Sequence, residues 1–216
     1  LGFGGKMIKH IIFDLDGTLI DSLNIYIEIG NKMAQRYGYG SFDHDKIKEI
    51  LRLPMKKRIK RLGIPAYKLP KLGFELIVEF GAYASGITPF EGIRELLEEL
   101  NAKGYGMSIV SSNSVRNIEA FLKANNLNLF ENIQTSKGLF GKHVTISKLI
   151  KRLNARKEEV IYIGDEQRDV EACKKVGIRV ISVLWGFDTT DLIKEANPDF
   201  IVSKPEEITD IIEGIN

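Results

Sequence analysis

The sequence predicts an α/β fold: a doubly wound, Rossmann-like parallel sheet core with an inserted α-helical cap. Three observations lead there. Short apolar, β-branched runs recur at residues 10–15, 107–110, 160–163, 179–183 and 200–202, each the length of a buried strand. Amphipathic stretches lie between them, as at 92–100, where Ile93, Leu96, Leu97 and Leu100 share one face, and at 115–122 and 144–153. Such alternation is the mark of a parallel sheet covered by helices on both faces. The third observation is where the alternation stops. From Leu19 to Pro89 the chain reads as helix alone, with candidates at 21–37, 43–51, 55–61 and 72–84. Gly38, Gly40, Pro54, Gly63, Pro65, Pro70, Gly86 and Pro89 punctuate them. The expected division is therefore a core of residues 7–19 and 87–216 and a cap of residues 20–86, hinged near 19–21 and 85–89. Residues 1–6 are read as a remnant or as disordered.

Composition sets the class. At 216 residues, with 44% hydrophobic and 28% charged residues, the chain suits a soluble globular domain carrying an insertion. A chain this long buries roughly 70% of its extended surface on folding, so no disulfide or metal staple is required. Any metal is free for chemistry. A net charge of +2 is too weak an imbalance to argue for nucleic acid, and no nucleic-acid partner is expected. The single cysteine, Cys173, excludes an internal disulfide and fits the cytoplasm. No apolar run reaches the ~18 residues of a membrane span. His10, His44 and His143 are scattered and make no zinc site.

The first strand ends in Phe13-Asp14-Leu15-Asp16-Gly17-Thr18. Strand side chains alternate, so Asp14 and Asp16 converge on one spot at the carboxyl edge. Two carboxylates that close repel, and a hard divalent cation, magnesium above all, relieves the repulsion. Gly17 permits a sharp turn, and Thr18 sets a hydroxyl beside free amides suited to an anion. The plainer reading, a turn whose acids cap a helix, accounts for one acid but not for two. A second acidic group, Gly164-Asp165-Glu166-Gln167-Arg168-Asp169, follows another apolar strand. In a doubly wound sheet such strand ends meet in one crevice. Asp165 is the candidate metal ligand, with Asp169, one helical turn on, and Glu166 behind it.

Two further elements complete an anion site. Ser111-Ser112-Asn113-Ser114 joins a strand to a helix and offers hydroxyls and amides to phosphate. Lys142 precedes a helix, where a cation is unfavourable unless an anion sits nearby. Lys137 and Lys148 are its rivals.

Taken in order, these four elements resemble the haloacid dehalogenase-like (HAD) hydrolase superfamily, and among its members the phosphoglycolate phosphatase-like ones with a helical cap. Leu53-Pro54, Thr88-Pro89 and Leu184-Trp185-Gly186-Phe187 are similar to that group as well. The resemblance implies a magnesium-dependent phosphatase acting on a small phosphorylated metabolite through an aspartyl-phosphate. It makes Asp14 the nucleophile, Asp16 the general acid and base, and Lys142 the charge-balancing base. Ser111 becomes the phosphate-binding hydroxyl, aided by the Gly17, Thr18 and Ser112 amides. Asp14, Asp165 and the backbone carbonyl of Asp16 would hold Mg2+. His143, Glu166 and Arg52 depart from the group's usual residues, proline, a small polar side chain and glycine. The carbon–halogen hydrolases of the superfamily need neither an acid nor magnesium, so Asp16 favours phosphate chemistry. A phosphomutase uses the same groups and is the runner-up, followed by a non-catalytic regulator that retains the fold.

Arg52, Lys56, Lys57, Arg58, Lys60 and Arg61 form a basic cluster in the cap. A solvated helix face explains it most simply. The sharper reading gives Arg52 or Lys56 the recruitment of an anionic substrate. Trp185 is expected in a loop near the active face, and a monomer or weak dimer is the expected state.

Overall fold

The computed structural model describes residues 8–38, 44–136, 138 and 141–216. Six strands, β1 (His10–Phe13), β2 (Gly106–Ser111), β3 (Asn132–Thr135), β4 (Val160–Gly164), β5 (Arg179–Val183) and β6 (Phe200–Val202), form one sheet in the order β3-β2-β1-β4-β5-β6. Every pairing is parallel. This is the doubly wound architecture, with β1 central and its carboxyl end beside the point where the winding reverses.

Alternation along the strands divides the core between the two faces. Ile11, Phe13, Met107, Ile109, Ile161 and Ile163 point to one side. There they meet the apolar stripes of α5 (Ile93–Ala102), α6 (Val115–Ala124) and α10 (Glu207–Ile215), helices numbered in chain order after the four of the insertion described below. Ile12, Val110, Val160, Tyr162 and Val180 point to the other, against α7 (Lys142–Arg152) and α8 (Gln167–Val176), with Ala196 of α9 (Thr190–Ala196) at the margin. Cys173 is a free, buried thiol in this second layer.

One strand was not foreseen. β3, Asn-Ile-Gln-Thr, lies on the sheet edge half-buried, so only Ile133 carries an apolar signal. Between β1 and α5 run α1 (Leu23–Tyr37), α2 (His44–Leu51), α3 (Met55–Arg61) and α4 (Leu69–Phe80). The last begins earlier than 72–84 because Pro70 occupies its first turn, where a missing N–H costs nothing, and it ends earlier too, capped at Gly81. Ile29, Met33, Leu72 and Phe80 are buried among these helices, and Tyr26 stacks on Phe80 at 5.0 Å between ring centroids. The segment leaves and rejoins the sheet at adjacent points: Ile20 bridges Pro89, and the Phe90 amide donates to the Leu19 carbonyl at 3.0 Å. Asn117 of α6 fastens it from the other side through the Ile77 carbonyl at 2.8 Å.

Candidate active site

Three strand ends build the site. The Asp14 amide donates to Ile163 of β4 at 2.9 Å, so Asp14 emerges on the carboxyl edge between β2 and β4. The chain then turns tightly, the Leu15 carbonyl accepting from Leu19 at 2.8 Å and from Ile20 at 3.1 Å. Gly17 makes the turn at φ 80°, and a Cβ there would lie 2.2 Å from Asp165 Oδ2, so a side chain is excluded twice over. The two acidic stretches are thus in contact, and Thr18 Oγ1 donates to Asp165 Oδ1 at 2.9 Å. The other Asp165 oxygen accepts the Phe187 amide at 2.8 Å. Close approach again requires glycine next door, since a Cβ on Gly186 would sit 2.2 Å from the Asp165 Cβ.

Lys142 opens α7 and is buried at 3% exposure, with Nζ 2.6 Å from Asp14 Oδ2 and 2.6 Å from Asp169 Oδ1. A cation in the first turn of a helix is stabilised here by two carboxylates. Lys148 is exposed on the same helix, and Lys137 falls outside the described residues. Burial alone would lower the Lys142 pKa; Asp14 and Asp169 more than reverse this, so the ammonium stays charged. Burial pushes the Asp14 carboxyl up to about 7, with Lys142 opposing and Asp169 reinforcing the shift. Burial also raises Asp16, partly opposed by its hydrogen-bonding neighbours, among them Asn113.

The β2 end supplies polar groups opposite. Ser111 is buried, its Oγ accepting the Asn113 amide at 3.0 Å, and Ser112 is half-buried beside it. Asn113 Nδ2 donates to Asp16 Oδ2 at 3.2 Å and lies 3.3 Å from the Tyr26 hydroxyl. Tyr26 comes from α1, so a side chain of the insertion reaches the carboxylates. Phe187 packs edge-on against its ring at 6.1 Å.

The metal-compatible carboxylates differ from the sequence expectation in one respect. Asp14, Glu166 and Asp169 each place an oxygen within 4.8 Å of the others, all buried. Glu166 and Asp169, expected behind the metal, are thus gathered with Asp14, whereas Asp165 is held by Thr18 and Phe187. Burial, then Glu166, Asp14 and Asp169, drive the Asp165 carboxyl well above its usual range. At this edge of the sheet the carboxyls of Asp14, Asp16, Asp165, Glu166, Asp169 and Asp188 are buried, faced by the cations Arg58, Lys142 and Arg168. Asp16 Oδ1 is buried with no hydrogen-bond partner. An excess of hard oxygen ligands and one orphaned carboxylate oxygen fit a divalent cation such as magnesium.

Of the basic cluster, Arg58 is the buried member. It donates to the carbonyls of Leu53 at 2.6 Å and Leu51 at 2.7 Å, pairs with Asp188, and lies 3.7 Å from Glu166. Lys56 is exposed and lines a cavity of about 120 Å³ with Arg58, Glu166, Gln167, Arg168 and Asp188, while exposed Arg52 is not among its walls. Sequence reasoning gave no role to Tyr26, Arg58, Arg168 or Asp188. A signal existed for two of them. Arg58 shares a helical face with Met55 and Ile59, and Arg168 stands in the first turn of a helix, as out of place as Lys142. Trp185 lies where expected, its indole N–H donating to the Thr18 carbonyl at 3.1 Å.

Comparison with known proteins follows the same lines. The sequence profile of a family described as haloacid dehalogenase-like hydrolase matches residues 11–183. A phosphoglycolate phosphatase of Synechococcus elongatus is 32% identical, the match covering 93% of this chain and 95% of that one. The pyrophosphatase PpaX of Halalkalibacterium halodurans is 23% identical over 95% of this chain and 97% of its own. Among solved structures, a haloacid dehalogenase-like family hydrolase of Streptococcus pneumoniae superposes with a TM-score of 0.79 at 24% identity, covering 94% of this chain and 98% of that one.

Proposed function

Because the chain belongs to the haloacid dehalogenase-like hydrolase family, and is a phosphatase as its curated relatives are, we propose that it hydrolyses a small phosphomonoester through an aspartyl-phosphate on Asp14. Phosphoglycolate is the first substrate to test, given the relative from Synechococcus elongatus. The observation that carries the reading is the buried contact of Asp14 with Lys142, with Asp16 on the same turn. Lys142 lowers the Asp14 pKa against the effect of burial and keeps a nucleophilic carboxylate available near neutral pH. The Asp14 oxygen attacks phosphorus in line with the departing alkoxide, so an O–P bond forms as the ester O–P bond breaks. Asp16, whose carboxyl burial shifts toward the protonated form, gives a proton to that alkoxide. It then takes a proton from the water that hydrolyses the aspartyl-phosphate. Ser111 and the Ser112 amide would hold the remaining phosphoryl oxygens, whereas the Gly17 and Thr18 amides, expected from the sequence to join them, already donate to the Ile20 and Leu15 carbonyls at 3.0 and 3.2 Å.

Asp14, the Asp16 backbone carbonyl and Asp165 would hold magnesium, with Glu166 and Asp169 adjoining. When bound, the ion supplies positive charge against the phosphoryl oxygens. Residues 20–86 act as the cap over residues 7–19 and 87–216, and shield the intermediate from stray acceptors. Lys56, on the cavity wall, is a better candidate than Arg52 for recruiting an anionic substrate. All these groups come from one chain, so a monomer suffices.

The test is a panel of phosphomonoesters, phosphoglycolate and sugar phosphates included, assayed with and without Mg2+. Phosphate released in step with the alcohol, only with Mg2+, is the expected result. Phosphoryl return to the substrate without free phosphate would make the chain a mutase. Absence of turnover on every ester would overturn the enzymatic mechanism.

A further inference from the structure

We propose that Arg58 is a positioning residue that ties the seating of the helical insertion to the geometry of the cation-binding carboxylates. The proposal rests on the magnesium-dependent reading above. Arg58 lies on α3, outside the sheet, yet at 6% exposure it is the most deeply buried cation of the insertion's basic cluster. Its guanidinium is held at the rear by the Leu51 and Leu53 carbonyls, which fix its direction. Its front meets two acids of the core.

The first is Asp188, in the loop after β5. One Asp188 oxygen accepts from Arg58 and the other accepts the Gln167 amide at 2.7 Å, the first amide of α8. The second is Glu166, 3.7 Å from Arg58 and also bonded by Arg168. Glu166 is one of the three acids gathered within 4.8 Å, together with Asp14 and Asp169. Arg58 therefore grips the start of α8 from two sides, at the residue that joins the cation cluster. The loop bearing Asp188 also carries the Phe187 amide, which holds Asp165. If the insertion lifts, Arg58 leaves, Asp188 and Glu166 lose a buried counter-charge, and both carboxylate anchors of α8 are released. By linkage, a cation that favours the seated geometry must in turn favour seating.

The experiment is calorimetric titration of the substrate-free protein with Mg2+ alone, cross-checked by fluorescence of Trp185, the single tryptophan. Arg58→Gln and Asp188→Asn should each weaken Mg2+ binding about 10- to 100-fold, the usual cost of removing a group that orients metal ligands. The double variant should lose little more than either single one, since both break one chain of contacts. Mg2+ should slow proteolysis of the insertion in the wild type and not in Arg58→Gln. Excess Mg2+ should restore kcat in Arg58→Gln, a recovery that a merely structural loss would not show. If Arg58→Gln fails to fold, Arg58→Lys must show the same weakening at smaller size, because its ammonium cannot span Leu51, Leu53 and Asp188 together. Wild-type affinity in a folded Arg58 variant, or additive losses in the double variant, would overturn the proposal. A wild type that binds no Mg2+ would instead bring down the cofactor reading itself.

Discussion

Lys142 is the residue on which the state of Asp14 turns. Its ammonium opposes the effect of burial on a carboxyl whose pKa already stands at about 7. Removing a neighbouring cation raises an acid's pKa further. Lys142→Ala should therefore shift the ascending limb of kcat/KM against pH to higher pH, and activity should recover in part as the medium becomes alkaline. A pH–rate profile reads this directly. The same substitution leaves Asp14 and Asp169 without their shared partner and should cost about 3–5 kcal/mol in a urea melt. Exposed Lys148→Ala should stay within about 0.5 kcal/mol of wild type and keep its activity. Asp14→Asn keeps the shape of the side chain but removes the nucleophile, so a folded protein with kcat reduced about 10⁴-fold or more is expected. Far from this site, His10 is buried with Nε2 2.8 Å from Ser108 Oγ. Burial lowers its pKa, opposed by Glu131. A folded-state pKa below the unfolded value means that the unfolded chain binds the extra proton. The His10 contribution is thus present above pH 6.5 and lost as pH falls through the range below it. Comparing urea midpoints at neutral and mildly acid pH, His10→Gln should lose less stability on acidification than wild type. An equal loss would show that His10 takes no part.

The loops that carry the catalytic groups are shaped as much by what glycine leaves out as by what other side chains add. Gly17 and Gly186 both abut Asp165, and a Cβ at either would lie 2.2 Å from it. Gly186→Ala should push the loop after β5 off Asp165, alter Trp185 fluorescence and lower activity, with the sheet and its circular dichroism intact. Wild-type kinetics in that variant would mean that the loop adapts at no cost. The signal in the sequence was strong where chemistry and strand ending coincide. Asp14, Asp16 and Asp165 follow apolar runs in which acids have no packing role, so the position itself was informative. It was weak where a residue acts across the fold. Tyr26 reaches Asn113 and Arg58 reaches Asp188 only because the insertion folds back over the sheet, and neither spacing nor composition encodes that distance. β3 was missed for a different reason: an edge strand half exposed has no need of an apolar run. The α4 boundary slipped because Pro70 reads as a breaker, although proline is welcome in a first turn.

At the scale of the molecule, parallel strands bring all their carboxyl ends to one edge, and this chain gathers six buried acids there, Glu159 at the other end of β4 being apart from them. Asp14, Asp16, Asp165, Glu166, Asp169 and Asp188 outnumber Arg58, Lys142 and Arg168 among the described residues. Such an excess opposes folding unless the carboxyls retain protons or a cation joins them. The raised pKa of Asp14, Asp16 and Asp165 is the first remedy. Its cost depends on pH in a definite direction. A carboxyl whose folded pKa is raised makes its full contribution below the unfolded pKa and loses it as pH rises to the folded pKa, above which the loss is complete. For Asp14 the penalty therefore grows as pH rises from 3.8 to about 7. Magnesium is the second remedy, and it is most effective where the carboxyls are ionised. Adding Mg2+ should raise the melting temperature, and raise it more above pH 7 than near pH 5, where protons compete for the same oxygens. At a concentration a hundred times its dissociation constant the ion should add about 2.7 kcal/mol to stability. Asp14→Asn, with one charge fewer in the cluster, should melt less pH-dependently and gain less from the ion. A melting temperature indifferent to Mg2+ across that pH range would show that protons and the three basic side chains already balance the site.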